Sequence, residues 1–537
     1  MVQWFLLAIL AAHLSAASTN GTTSQSDPDL FITSDRCLAC HNSLVNDSGQ
    51  NVSIGSNWQA SMMAHASCDP YWQAAVRREC LEHPTAQAEI QHECAGCHMP
   101  MNRYHAKMKG VLGSVFNHLP VVPAHTPADQ LAADAVSCTL CHQITPEHLG
   151  DAESFTAGFV IDQQKPEGER SIYGPYDVDK GRTRVMQSSS LFVPTEKTHL
   201  QDSALCASCH TLYTHTLNEQ GVAIGTFPEQ VPYLEWQHSD YNDVQHCQSC
   251  HMPVLETPMP ITSVLGQDRD HFSQHAFRGG NFFIPKVLNR YRAELGVQAL
   301  AQDLNQTSRA TEDHLAAQSA KLTIQSSQRN GDTLAVQVHV TNLAGHKLPT
   351  AYPSRRTWIH LRVTDQEGQV VFESGALRKD GSIAGNDNDR EASRFEPHYR
   401  EITQEDQVQI YEAIMVDPKD RVTTSLLTAI RYAKDNRILP KGFDKTTAPA
   451  DIAVHGQAEQ DDDFLAPRDS LSYQIPVPTG QGPFHVQAEL WYQPIAYRWA
   501  HNLKQQNAVE IDRFTRYYEA MSQESAIILA MDEGSVQ

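Results

Sequence analysis

Ten of the twelve cysteines in this 537-residue chain fall into five copies of one frame: cysteine, two variable residues, cysteine, histidine. The copies are Cys37-Leu-Ala-Cys40-His41, Cys94-Ala-Gly-Cys97-His98, Cys138-Thr-Leu-Cys141-His142, Cys206-Ala-Ser-Cys209-His210 and Cys247-Gln-Ser-Cys250-His251. Cysteines three apart project from one side of a helical turn, so both sulfurs can form thioethers with the vinyl groups of a single porphyrin. The imidazole that follows then falls under the iron as its proximal ligand. Zinc knuckles use paired cysteines too, but they need no histidine after every second one, and five pairs do not divide into four-ligand sites. Disulfides within the frames would leave the five histidines unexplained. The frames therefore predict five haem c groups.

Cys68 and Cys80 lie outside the frames. Between them Asp69-Pro70 reads as a helix cap followed by proline at the first helical position, with helix-forming residues after it. A straight helix would hold the two cysteines on the order of 15 Å or more apart, beyond the reach of a disulfide. A doubled-back chain would allow the bridge that an oxidising compartment favours; the alternative is two buried thiols.

The chain has 27 histidines, of which five are proximal. Electron-transfer haems take a second strong axial ligand, so the distal ligands are expected among the surplus. The first choices are His65, His118, His199, His215, His238, His275 and His346, the last three standing beside glycine or aromatic residues that can pack on a flat ring. His105, His125, His246 and His271 are second choices, and Met62, Met63 and Met99 are possible sulfur ligands.

The formal charge of −22 argues against a nucleic-acid or anionic-membrane partner and favours redox partner proteins or other cytochromes. Val2 to Ala17 is apolar, too short for a membrane span, and ends in small residues, which reads as a signal peptide over 1–17. No later run is apolar enough to cross a bilayer. The expectation is an exported protein, periplasmic or extracellular, with no integral membrane segment.

Five frames between Cys37 and His251 leave only a few tens of residues per haem, so the haems must form much of one another's core. This predicts a mainly α and irregular multihaem domain over 31–285, after a linker at 18–30. CHMP recurs at Cys97 and Cys250, a short internal repeat. Helical spacing marks a bridge over 286–320. The period then switches to two around an Asn330-Gly331 turn, predicting an all-β, immunoglobulin-like sandwich over 321–500. A C-terminal amphipathic helix is expected within 501–537. His346, in GHKLPT at the start of the β region, would tie that region to the haem domain if it is a distal ligand.

The frames, the glycine-rich segment after His275 and the GHKLPT segment resemble the multihaem cytochrome c superfamily that includes hydroxylamine oxidoreductase and its tetrahaem electron acceptor. The resemblance is strongest over Cys37 to His251 and loose in the β region. It implies thioether attachment at the ten frame cysteines, iron ligation by the five frame histidines, and distant histidines on most irons. The sequence departs from the enzymes of that group in having five frames rather than eight, none with lysine in place of the final histidine. The expected role is therefore electron relay along the haems in extracytoplasmic respiration. Two alternatives stand beside it: an oxidoreductase acting on a nitrogen or sulfur compound at one open iron, and a subunit of a homo-oligomer or filament.

Overall fold

The computed structural model describes residues 30–242, 244–478 and 482–537, so the expected signal peptide and nearly all of the linker lie outside the described residues. The frames sit on or beside short helices, which puts the two cysteines of each on one side of a turn. The second frame closes the helix Gln87–His98 and the fourth closes Ser203–His210, while the fifth forms the whole of Cys247–His251. The third opens on Cys138–Cys141, and the first straddles the end of Asp35–Leu38. Small two-stranded sheets join them, including the parallel pair Arg170–Gly174 with Phe192–Glu196.

The helix Pro70–Glu82 begins where the capping residues place it, with the Asp69 carboxylate accepting from Tyr71 N at 2.8 Å. It separates Cys68 from Cys80, and both are buried free thiols. The disulfide alternative is excluded because the intervening helix runs through without doubling back.

Helices Phe283–Arg290, Arg292–Leu295 and Ala301–Gln318 lead into the β region. There the hairpin Ala320–Asn330 to Thr333–Asn342 turns on Gly331 and Asp332, one residue later than the expected Asn-Gly pair. Gly331 carries the left-handed φ of +66° that this tight turn needs. Along Thr333–Asn342 every second residue is buried, with Leu334, Val336, Val338 and Val340 at 1% exposure or less. This hairpin belongs to a four-stranded sheet, and a seven-stranded sheet is built around Arg356–Thr364, Ile410–Val416 and Phe484–Gln493. Phe372 of one sheet meets Tyr473 of the other edge to face, so apolar faces of both sheets enter one core. One strand pair, Glu401–Ile402 with Ser472–Tyr473, is parallel.

The chain does not finish in a helix. Val509–Met521 is helical, but Ile527–Val536 is a strand antiparallel to Phe484–Gln493. The apolar run Ala526 to Met531 extends the helical pattern in sequence, and the unpaired edge of Phe484–Gln493 claims it as strand instead. No helix among the described residues is long and apolar enough to cross a membrane.

One apolar core runs through both halves of the chain, joining Trp72, Val76, Ile90 and Phe227 to Val336, Ile359, Leu471 and Leu490. Helix Pro70–Glu82 packs on Val509–Met521, where Arg77 makes a two-pronged ion pair with Glu510 at 2.9 Å. The buried Glu79 carboxylate accepts from Ser425 Oγ at 2.7 Å and Leu426 N at 2.9 Å.

Candidate haem-binding sites

Four of the five frame histidines present Nδ1 to a backbone carbonyl. His41 donates to Ile261 O at 2.7 Å, His98 to Ala66 O at 2.8 Å, His142 to Tyr173 O at 2.6 Å, and His251 to Arg278 O. A proton fixed on Nδ1 leaves the Nε2 lone pair bare, which is how proteins aim an imidazole at a metal. Desolvation keeps these rings neutral and holds His98 down at about 4. Trp72 stacks on the His98 ring at 4.3 Å and 4°, fixing its plane.

Two frame histidines face a second imidazole at the spacing an intervening iron needs. With metal–nitrogen bonds of about 2.0 Å, ring centres on opposite sides of one metal lie about 6 Å apart. His142 and His275 are 6.2 Å apart and 14° from parallel. His251 and His346 are 6.3 Å apart and 18° from parallel. His275 Nδ1 lies 3.2 Å from Ser273 O and His346 Nδ1 3.0 Å from Lys347 O, so both keep Nε2 free in the way the frame histidines do. These donor sets fit haem.

The other histidines are placed less decisively. His65 and His199 are buried beside frames: Nε2 of His65 and Nδ1 of His199 have no hydrogen-bond partner. His65 precedes Ala66, whose carbonyl holds His98, and His199 packs on Tyr173, whose carbonyl holds His142. His118 donates to Asp129 at 2.7 Å, and His215 to Glu93, next to Cys94, at 3.0 Å. His238 is exposed, with its Nδ1 on Leu234 O, and no frame imidazole packs against it among the described ring contacts. Of the second choices, His125, His246 and His271 are exposed, while His105 is half-buried on Pro100–Met108.

Two histidines outside both groups of candidates also stand out. His83 is buried with an unpartnered Nε2, and His314 lies 6.3 Å from His251 at 52°. His314 is one polar residue in the long helix Ala301–Gln318, and nothing in its neighbours' sequence marks it.

The frames are woven together. The thiols of Cys37 and Cys138, of Cys97 and Cys209, and of Cys206 and Cys247 lie within hydrogen-bonding reach of each other. Thus the first frame meets the third, and the fourth meets both the second and the fifth. Cys141 of the third frame is also close enough to Cys206 and Cys209 to act on them electrostatically. All five sites therefore form one contiguous cluster. The positive charge of Arg355 acts on His210, His251 and His346.

A buried histidine–carboxylate cluster in the β region is structural. His398 Nε2 lies 3.1 Å from Asp461 and 3.9 Å from Asp469, all buried. Its Nδ1 accepts from Gln409 Nε2 at 2.9 Å and Asn436 Nδ2 at 3.0 Å. Neither amide can be reversed, because their oxygens accept from Tyr399 N and Glu412 N. The ring proton is therefore on Nε2, and no lone pair is left for a metal.

No protein-family model matches the sequence. No curated protein matches it either. A solved structure does: a penta-haem cytochrome c552 from Thermochromatium tepidum, with a TM-score of 0.52 and 17% identity, covering 95% of this chain and 100% of that one. The chain thus shares a multihaem cytochrome c fold along nearly its whole length.

Proposed function

We propose that the protein is an exported electron-transfer cytochrome carrying five haem c groups. The observation that carries the reading is the coincidence of five complete attachment frames with a fold like that of a penta-haem cytochrome. Haem c supplies reversible one-electron chemistry when bound. The frame cysteines would form the thioethers and His41, His98, His142, His210 and His251 the proximal bonds, with His275 opposite His142 and His346 opposite His251. Backbone carbonyls lock the ring tautomers, and the positive charge of Arg355 disfavours protonation of His210, His251 and His346. The contacts between frames favour passage from the first through the third to the fourth, with the second and fifth as ends of two branches. The high negative charge favours cationic redox partners. Kinship with the hydroxylamine oxidoreductase group rests on the motif resemblance.

One observation favours the second reading, an oxidoreductase. Near Cys94, burial raises the carboxyls of Glu229 and Glu79, the latter to about 7, and an oxidoreductase would need groups that exchange protons beside its iron. Expression with cytochrome maturation, haem staining and intact mass test the count of five. EPR separates the readings: an entirely low-spin ferric spectrum supports relay, and a high-spin component supports an open catalytic iron. A colourless protein with the mass of its amino acids alone would overturn both.

A further inference from the structure

His346 lies on a loop that follows Thr333–Asn342, and what holds that loop is a run of buried charges reaching both halves of the chain. Lys347 Nζ pairs with Asp435 Oδ2 at 2.8 Å and donates to Ala453 O at 3.1 Å. Asp435 also takes both prongs of Arg437, at 2.9 and 2.7 Å. Arg437 Nη1 in turn sits 2.9 Å from Glu235 Oε1, and Glu235 belongs to the helix Pro232–Gln237 ahead of the fifth frame. Glu235 Oε2 closes the loop by accepting from Lys347 N at 3.1 Å and from the Thr350 hydroxyl. All four charged side chains are 7% exposed or less, and their formal charges cancel.

The backbone is gripped just as closely. Asn342 Nδ2 donates to His346 O at 2.8 Å and to Ile438 O at 2.9 Å. A Cβ on Gly345 would stand 3.3 Å from Tyr241 and 3.4 Å from Trp236, so glycine lets the loop lie against these rings. A single imidazole loosely held could not keep 6.3 Å and 18° to a partner ring 95 positions earlier in the chain.

We propose that Glu235, Arg437, Asp435 and Lys347 are positioning residues that aim His346 at the iron carried by His251, so that ligation at the fifth frame depends on the docking of the β region onto the haem region. This rests on the reading of His346 as that iron's distal ligand. The network touches no reacting atom. It acts through the GHKLPT backbone.

The test uses the full-length haem-loaded protein and reads ferric EPR and the potentiometric titration. His346→Ala tests the underlying reading and is expected to turn about one fifth of the low-spin signal high-spin, one iron in five. Glu235→Gln and Lys347→Met are expected to move the same component partway, with a shifted midpoint for one haem and the other four unchanged; Lys347→Arg should restore most of the wild-type signal. Thr350→Val removes a single bond to Glu235 and substitutes if the charge variants do not load haem, with a smaller shift in the same direction. Arg356→Met breaks a buried pair with Asp389 elsewhere in the β region and serves as the control. If His346→Ala leaves the spectrum unchanged, or only His314→Ala alters it, the ligand reading fails. If His346→Ala acts but the network variants keep the wild-type signal, or Arg356→Met acts equally, the positioning role is overturned while the ligand reading stands.

Discussion

At His275 the ring sits 6.2 Å from His142 and is held by burial at about 3, far below the usual imidazole value, so it is neutral and able to bind metal throughout the physiological range. His238 has comparable sequence surroundings but an exposed ring. His275→Ala is therefore expected to convert one iron from low to high spin in the EPR spectrum, and His238→Ala to leave the spectrum as it is. Away from the frames, His360 lies between Glu489 at 2.9 Å and Glu373 at 3.1 Å. Burial opposes its protonation, but the two carboxylates outweigh it and raise the ring above its model-compound value of 6.5. Its contribution to stability is complete below 6.5 and lost as pH rises through the raised value. Urea titrations at about pH 6 and about pH 8 should show a larger fall in stability for the wild type than for His360→Gln. Residue identity alone separated frame histidines from the rest. It could not rank the distal ones, because whether an imidazole meets iron depends on groups remote in sequence.

Among elements, the most legible are those whose local chemistry agrees with their packing. Asp69-Pro70 starts a helix where a capping carboxylate and a pre-set φ predict one, and Asp69→Ala should cost about 1 kcal/mol in a urea titration. The alternation of Thr333–Asn342 was readable because one face is core and the other is not. Ile410–Val416 was not, since all seven of its residues are buried and no alternation survives. Glu412 within it is tolerated only because Lys434 pairs with it at 3.0 Å from a neighbouring strand. The terminal strand Ile527–Val536 was hidden for a related reason: its apolar start suits helix or strand, and the free edge of a strand decides.

Across the whole molecule, the shared core and the ion pair between Arg77 and Glu510 bind residues more than 400 positions apart. A separable domain would own its core. Residues 30–285 expressed alone with haem maturation should thus be far more sensitive to protease than the full chain, since Glu79 would lose Ser425 and Leu426 and much of the apolar surface would be bare. Arg77→Ala should lower stability by about 2 kcal/mol, because it leaves the buried Glu510 carboxylate without the two guanidinium donors it holds at 2.9 Å.

The proposed covalent chemistry is legible in the sequence alone: thioether attachment needs two sulfurs on one side of a helical turn, with the ligating imidazole beside them, and those are neighbours along the chain. The facing of His142 by His275 and of His251 by His346, the contact between frames and the ion-pair network beside His346 are decided by tertiary structure, because each joins side chains tens to hundreds of residues apart whose approach is set by the burial of a common core.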